Sequence, residues 1–240
     1  MFSLENIEFY YQPIYNRNLD IYGFEILSRL INSTSKQCAS FIEKIENDEI
    51  IVDIALGQLS TVCGILDEGI DCTFSINVNE FTLASPRFLE IATQLHKRYL
   101  NNISLEISEK INLKNRGHLV KALDELNKYG YLLGLDDLFS EDSSTMTIMK
   151  AEISYIKADR TIVEAFKKCK TSRNLLQAMV YFCKVSSIPC VAEGVESLET
   201  YYELKSIGVD FFQGFYFSKP VPLNAMFELY HKKNFDIKNH

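Results

Sequence analysis

Polar side chains stand at the ends of six short apolar runs and inside a seventh, a spacing that would gather them if the runs were strands of one sheet. Glu25 lies between Phe24 and Ile26, Asn77 follows Thr73-Phe74-Ser75-Ile76, and Glu106 follows Ile103-Ser104-Leu105. The pair Asp136-Asp137 closes Tyr131–Leu135, Lys157 closes Ile153–Ile156, Glu193 closes Ile188–Ala192, and Gln213 closes Asp210–Phe212. A single strand-end carboxylate more often caps a helix or pairs with a lysine than catalyses. The whole set differs, because the strand C-termini of a parallel barrel open onto one face. Carboxylates crowded there repel unless a cation sits among them. Oxygen donors without His or Cys suit a hard ion, Mg²⁺ or Mn²⁺. Glu25, Asn77, Glu106, Asp136, Asp137 and Glu193 are thus the candidate metal ligands. Lys157 either balances the acids or holds an attacking water or a phosphate oxygen. The chemistry these residues suit is phosphoester hydrolysis with two metals, without naming a substrate.

The elements needed to position this set are legible in the pattern. Extended runs at Glu8–Tyr15 and Ile21–Leu30 flank a polar turn at Asn16–Asp20. Strands are predicted at Cys72–Val78, Ile103–Ile107, Tyr131–Leu135, Ile153–Ile156, Ile188–Ala192 and Asp210–Phe212. Helices are predicted at Ala39–Glu46, Glu49–Leu66, Pro86–Tyr99, Gly117–Tyr129, Ser144–Lys150, Ile162–Lys168, Leu175–Val185 and Leu198–Ile207. Pro86 near one helix start, and Gly130 and Gly208 after two helix ends, are ordinary helix punctuation. Strand–helix alternation implies a parallel sheet. About eight strands in one domain (residues 1–240) imply an α/β fold, a TIM-like (β/α)8 barrel, with an open doubly wound sheet as the alternative.

The bulk composition bounds what the chain does. Of 240 residues, 47% are hydrophobic and 24% charged, enough for a sizeable core. The net charge of −7 argues against a DNA or RNA partner held by a basic face. An acidic chain that handles a phosphate ester needs cations from elsewhere, and metal ions supply them. No basic-then-apolar leader is visible, and no run of roughly 18 apolar residues suggests a membrane span. A cytoplasmic protein without a membrane partner is expected. The six scattered cysteines read as reduced core residues. The tyrosines and phenylalanines read mainly as core, with Tyr216 and Phe217, just past Gln213, the candidates for a base contact. None of the four histidines is assigned to a metal, and the polar tail Lys232–His240 is expected to fray.

Several segments in fixed order carry a resemblance. They are Tyr11-Gln12-Pro13-Ile14, Gly23-Phe24-Glu25-Ile26-Leu27-Ser28-Arg29, Ser75-Ile76-Asn77 and Leu105-Glu106-Ile107-Ser108-Glu109, then Asp136-Asp137 and Ile156-Lys157-Ala158-Asp159. Ala192-Glu193-Gly194-Val195-Glu196 and Gln213–Pro220 close the series. From about Glu8 to Pro222 the chain resembles EAL-domain cyclic di-GMP phosphodiesterases, with Ile26 where the name-giving motif has Ala. The resemblance implies a barrel whose first strand is antiparallel, and hydrolysis of cyclic di-GMP to linear pGpG. It implies that Glu25, Asn77, Glu106 and Asp136 bind one Mg²⁺ or Mn²⁺, while Asp136 and Asp137 share or hold a second. It makes Glu193 a metal-linked carboxylate and Lys157 the group that orients or deprotonates the water, so that Glu25, Lys157 and Glu193 form the catalytic set. Gln12, Arg29 and Gln213 would meet substrate, Arg29 through a phosphate, and Glu109 would anchor the loop after the aspartate pair. A homodimer is left open.

One segment departs from the family. Where members read F-G-T-G-Y-S-S, this chain reads Leu138-Phe139-Ser140-Glu141-Asp142-Ser143-Ser144. Both glycines, with their conformational freedom, are replaced, and a slightly misplaced site loses orders of magnitude in rate. The alternatives to an active phosphodiesterase are therefore a weak or inactive cyclic di-GMP receptor and a protein-interaction module.

Overall fold

The computed structural model describes residues 6–108, 111, 113, 116–138 and 151–236, with backbone alone at 35, 137 and 138. Strands β1 (Ile7–Asn16) and β2 (Ile21–Leu30) form an antiparallel hairpin. Its turn is held by Asn16, whose Oδ1 accepts from the backbone N–H of Asn18 and Asp20. From β2 onward every pairing is parallel, through β3 (Thr73–Val78), β4 (Ile103–Ser108), β5 (Leu132–Leu138), β6 (Tyr155–Ala158), β7 (Cys190–Ala192) and β8 (Phe211–Phe212). Strand β8 then pairs antiparallel with β1 and closes an eight-stranded barrel. This is the barrel with an antiparallel first strand that the resemblance implied.

Side-chain parity explains why such a barrel forms. In every strand from β2 to β8 the apolar members Phe24, Ile26, Phe74, Ile76, Leu105, Leu133, Leu135, Ile156, Cys190 and Phe212 belong to one large buried cluster shared with the helices. The residues between them alternate to the other face. Register links that face around the barrel: Gln12 opposes Glu25, Glu25 opposes Ser75, Asn77 opposes Glu106, Glu106 opposes Gly134, and Gly134 opposes Tyr155. Lower in the barrel this face is closed by a small separate cluster of Ile14, Tyr155 and Val191.

Most of the helices begin at polar caps, and the first begins upstream of its apolar periodicity. Helix α1 (Ser35–Ile45) starts after Thr34, which forms a capping box with Gln37, and α2 (Glu49–Asp67) starts after Asp48. The helix predicted over Pro86–Tyr99 is divided, for a physical reason. Helix α4 (Pro86–Gln94) ends where Leu95 turns extended, and the His96 ring accepts from Arg98 N to start a 3-10 turn at Lys97–Asn102. A short α3 (Glu80–Ala84) precedes it on an Asn79 cap. Then come α5 (Gly117–Tyr129), α6 (Arg160–Lys168, capped by Asp159), α7 (Lys170–Val185, capped by Cys169), α8 (Leu198–Ile207) and α9 (Leu223–Lys232). The helix predicted at Ser144–Lys150 and most of the altered segment lie outside the described residues.

Three expectations need correction. Helix α2 has the length and hydropathy of a membrane span (19 residues, mean hydropathy 1.6). It nonetheless packs Val52, Ala55, Leu59 and Val62 into the core and seats buried Gln58, whose Nε2 donates to Ile26 O. The cysteines are free but not all core: Cys38, Cys72, Cys183 and Cys190 are buried, Cys63 is half-buried and Cys169 is exposed. Finally, the first part of the tail does not fray. Lys233 O and the N–H of Phe235 pair with Ile21 N and Leu19 O, and the Phe235 ring packs on Tyr15, Tyr216 and Phe217. Polarity of the flanking lysines concealed that one ring.

Phe235→Ala is expected to destabilise the chain by about 3 kcal/mol, the usual scale for emptying a buried aromatic site. A drop in the urea midpoint at unchanged m-value checks it.

Candidate active site

The site is organised around one buried ammonium. Lys157, on β6, is 1% exposed and faces four carboxylates, three from other strands and one just past β7. Its Nζ donates to Glu106 Oε2 at 2.8 Å, and lies 2.5 Å from Glu193 Oε1, 3.1 Å from Asp136 Oδ1 and 3.6 Å from Glu25 Oε2. Glu25 is further held by Asn77 Nδ2, donating to Oε1 at 2.9 Å, and by Gln213 Nε2, donating to Oε2 at 2.7 Å. The strands β7 and β8 are short, and backbone bonds past their ends carry the last two members. Glu193 N donates to Ala158 O, Gln213 N to Ala192 O, and Val195 N to Gln213 O.

The electrostatics report a site rich in negative charge. Burial pushes Glu106 up to about 7; Lys157 opposes this rise, while Glu25 and Asp136 add to it. Burial likewise drives Glu193 well above the ordinary carboxylate range, with Asp136 and Glu25 reinforcing it against Lys157. At Glu25 burial also raises the pKa, but Lys157 and the amides of Gln213 and Asn77 outweigh it and hold the carboxyl below its usual value. For Lys157 burial favours the neutral amine, yet Asp136, Glu106, Glu193 and Glu25 together hold it firmly protonated. Four carboxylates share one ammonium, so burial raises two of them and the neighbouring acids add to that rise.

The predicted residues are therefore largely brought together: Glu25, Asn77, Glu106, Asp136, Lys157, Glu193 and Gln213 form one connected cluster. Gln12 opposes Glu25 on β1 and donates to Ser218 O. Arg29 lies further along β2, where its guanidinium donates to Ser28 O and does not meet the cluster. The side chain of Asp137 and all of Glu109 lie outside the described residues.

A cavity of about 250 Å³ adjoins the cluster, lined among others by Gln12, Glu25, Arg160, Glu193, Glu196 and Phe215. Here the expected base contacts must be corrected. Phe217 is buried against Tyr15, Tyr201 and Phe235, and Tyr216 packs on Phe217. Phe215 instead is 53% exposed at the cavity. The expectation rested on position just past Gln213 alone, and the turn there sets Phe217 inward and Phe215 outward. Tyr155, Arg160 and Glu196 were also missed. The signal for Tyr155 was available, since it stands two residues before Lys157 on the same strand face.

A family model described as EAL domain matches residues 1–220. The chain belongs to the EAL-domain family. Its relatives include PdeA of Borreliella burgdorferi, named a cyclic di-GMP phosphodiesterase, at 29% identity over 89% of this chain and 33% of that protein. Another is PdeG of Escherichia coli, named a probable cyclic di-GMP phosphodiesterase, at 28% identity over 88% of this chain and 44% of that protein. This EAL domain thus spans less than half the length of these two relatives. Among solved structures, the EAL enzyme Bd1971 in its cAMP- and cyclic-di-GMP-bound form matches with a TM-score of 0.83 at 28% identity, over 94% of this chain and 65% of that one.

The residues present fit a hard divalent cation by chemistry. The donors are carboxylate and amide oxygens, and Gln213 Oε1, buried beside Glu25, has no hydrogen-bond partner among the described residues. Among those residues no three acidic, His or Cys side chains converge as a ready cage; the carboxylates are instead disposed around the ammonium. Lys157→Met is therefore expected to cost about 3–5 kcal/mol in chelator, the scale for stripping the partner from buried charges. Added Mn²⁺ should recover much of that loss, giving a larger thermal shift in the variant than in wild type. Melting curves with EDTA and with Mn²⁺ check both halves.

Proposed function

We propose that this EAL domain hydrolyses cyclic di-GMP to linear pGpG with the help of Mg²⁺ or Mn²⁺. The observation that carries the proposal is the set of strand-end carboxylates gathered on Lys157 beside an open cavity. The choice of substrate is supported by relatives named as phosphodiesterases of that nucleotide. In this reading Glu25, Asn77, Glu106, Asp136, Asp137 and Glu193 hold one or two cations, and Glu25, Lys157 and Glu193 are the catalytic set. Such cations polarise a phosphoryl oxygen and make water a better nucleophile. Lys157, held as an ammonium by its neighbours, acts as a donor that orients water or a phosphate oxygen. Gln12 and Gln213 meet the nucleotide from β1 and the end of β8, and Arg29 takes a phosphate through its planar fork. Glu109 anchors the segment after the aspartate pair. Residues 1–240 act as one domain, and the free cysteines suit the reducing cytoplasm.

A second reading, a receptor that binds without turnover, is favoured by the two missing glycines in Leu138–Ser144. One experiment separates the two. Metal-stripped chain is incubated with cyclic di-GMP plus Mg²⁺ or Mn²⁺, and products are resolved by chromatography. The expected result is metal-dependent pGpG from wild type and from Lys232→Ala, and none from Glu25→Ala. Equal turnover in wild type and Glu25→Ala overturns the site; calorimetric binding without product makes the receptor reading correct.

A further inference from the structure

Glu106 is fixed at both oxygens, and only one of the fixing groups belongs to the cluster described above. Ser104 and Glu106 share one face of β4, as Tyr155 and Lys157 share one face of β6. Strand β5 runs between them. Its register sets Glu106 opposite Gly134, and Gly134 opposite Tyr155. A Cβ on Gly134 would lie 2.4 Å from Cζ of the Tyr155 ring, so the ring occupies the space that any other residue would fill. Through this slot the phenol crosses a whole strand. Its hydroxyl donates to Glu106 Oε1 at 2.8 Å and lies 2.8 Å from Ser104 Oγ. Lys157 holds the other oxygen, Oε2, also at 2.8 Å. Glu106 and Ser104 are fully buried and Tyr155 is 6% exposed, so no bulk water can stand in for the phenol. With the phenol proton given to Glu106, Ser104 Oγ donates to the Tyr155 oxygen, and Leu132 O at 3.4 Å is a second acceptor for that one serine proton.

We propose that Tyr155, admitted by Gly134 and steadied by Ser104, is a positioning residue for Glu106 that sets the affinity of the acidic cluster for a divalent cation. The proposal rests on the metal-dependent reading above. Lys157 alone would leave the carboxylate free to swing about its Oε2 contact. The phenol removes that freedom by holding Oε1 while Lys157 holds Oε2. Partners of this kind, one shell behind a ligand, commonly change metal affinity because they fix ligand orientation.

The test is Mn²⁺ binding to the nucleotide-free chain, followed by calorimetry and by the loss of the free-ion paramagnetic resonance signal. Tyr155→Phe keeps the ring in its slot and removes only the hydroxyl. Its Mn²⁺ affinity is expected to fall about 10–100-fold. Turnover should return at saturating Mn²⁺ with KM for cyclic di-GMP unchanged, a split that mere loosening of the fold would not give. Ser104→Ala, which leaves the phenol in place, should weaken Mn²⁺ binding in the same direction by a smaller factor; this variant decides if Tyr155→Phe fails to fold. Wild-type Mn²⁺ affinity in the folded Tyr155→Phe chain, or in Ser104→Ala where that chain does not fold, overturns this inference and leaves the metal reading standing. A wild-type chain that binds no Mn²⁺ overturns both.

Discussion

The fold is built around an ammonium that has been taken out of water. Burying one charge in a barrel is unfavourable by several kcal/mol unless partners of opposite sign meet it with good geometry. Lys157 has four such partners, and no two of them come from the same element: Glu25 on β2, Glu106 on β4, Asp136 on β5 and Glu193 beyond β7. The interaction therefore ties the two halves of the barrel together. It also penalises any slip in register, because shifting one strand by one residue would turn its carboxylate outward into the apolar layer. Hydrophobic burial supplies the larger driving force, but it is indifferent to which apolar residue fills which place. The lysine and its acids are not.

This division of labour appears in the two faces of the sheet. The outward face is covered by helices and reads as Phe, Ile and Leu in strand after strand. The inward face near the strand ends reads as Gln, Glu, Ser, Asn, Gly, Asp and Lys. A barrel interior so polar cannot be closed by side-chain packing alone. It is closed by hydrogen bonds, in which Asn77 and Gln213 satisfy Glu25 and Tyr155 satisfies Glu106. Burial, reinforced by the neighbouring carboxylates, then leaves Glu106 and Glu193 with raised pKa values. Such tension is what a cation would relieve.

This logic also accounts for what could be read from the chain without coordinates. Polar residues ending apolar runs are conspicuous, so the cluster from Glu25 to Gln213 and the alternation that builds the barrel were both legible. Residues whose role depends on a neighbouring strand were not. Spacing puts Tyr155 on the Lys157 face, but only its register with Gly134 and Glu106 reveals what its hydroxyl meets. Phe215 and Phe217 are indistinguishable as sequence, and a turn stabilised by Tyr216 N and Val195 O decides which is buried. Helix α2 is apolar enough to suggest a membrane, because a helix laid against a barrel and flanked by others needs little polar surface. Arg29 was expected at the substrate on resemblance alone, and its contact with Ser28 O shows how little strand position says about a long, jointed side chain.

The departure at Leu138–Ser144 must be weighed against how the rest is held. Among the described residues, the hydrogen bonds that fix Glu25 and Glu106 run among β2, β3, β4, β6 and residue 213. Asp136 stands at the boundary: its backbone belongs to β5, paired with Ser108, while the next residues enter the altered stretch. A change there bears on one side of the site and leaves the other side supported by the barrel itself. Binding groups drawn from the supported side would survive a displacement that spoils the alignment of the reacting atoms, since alignment is the more demanding of the two. The two functional readings thus differ in a single corner of one scaffold, at the end of β5.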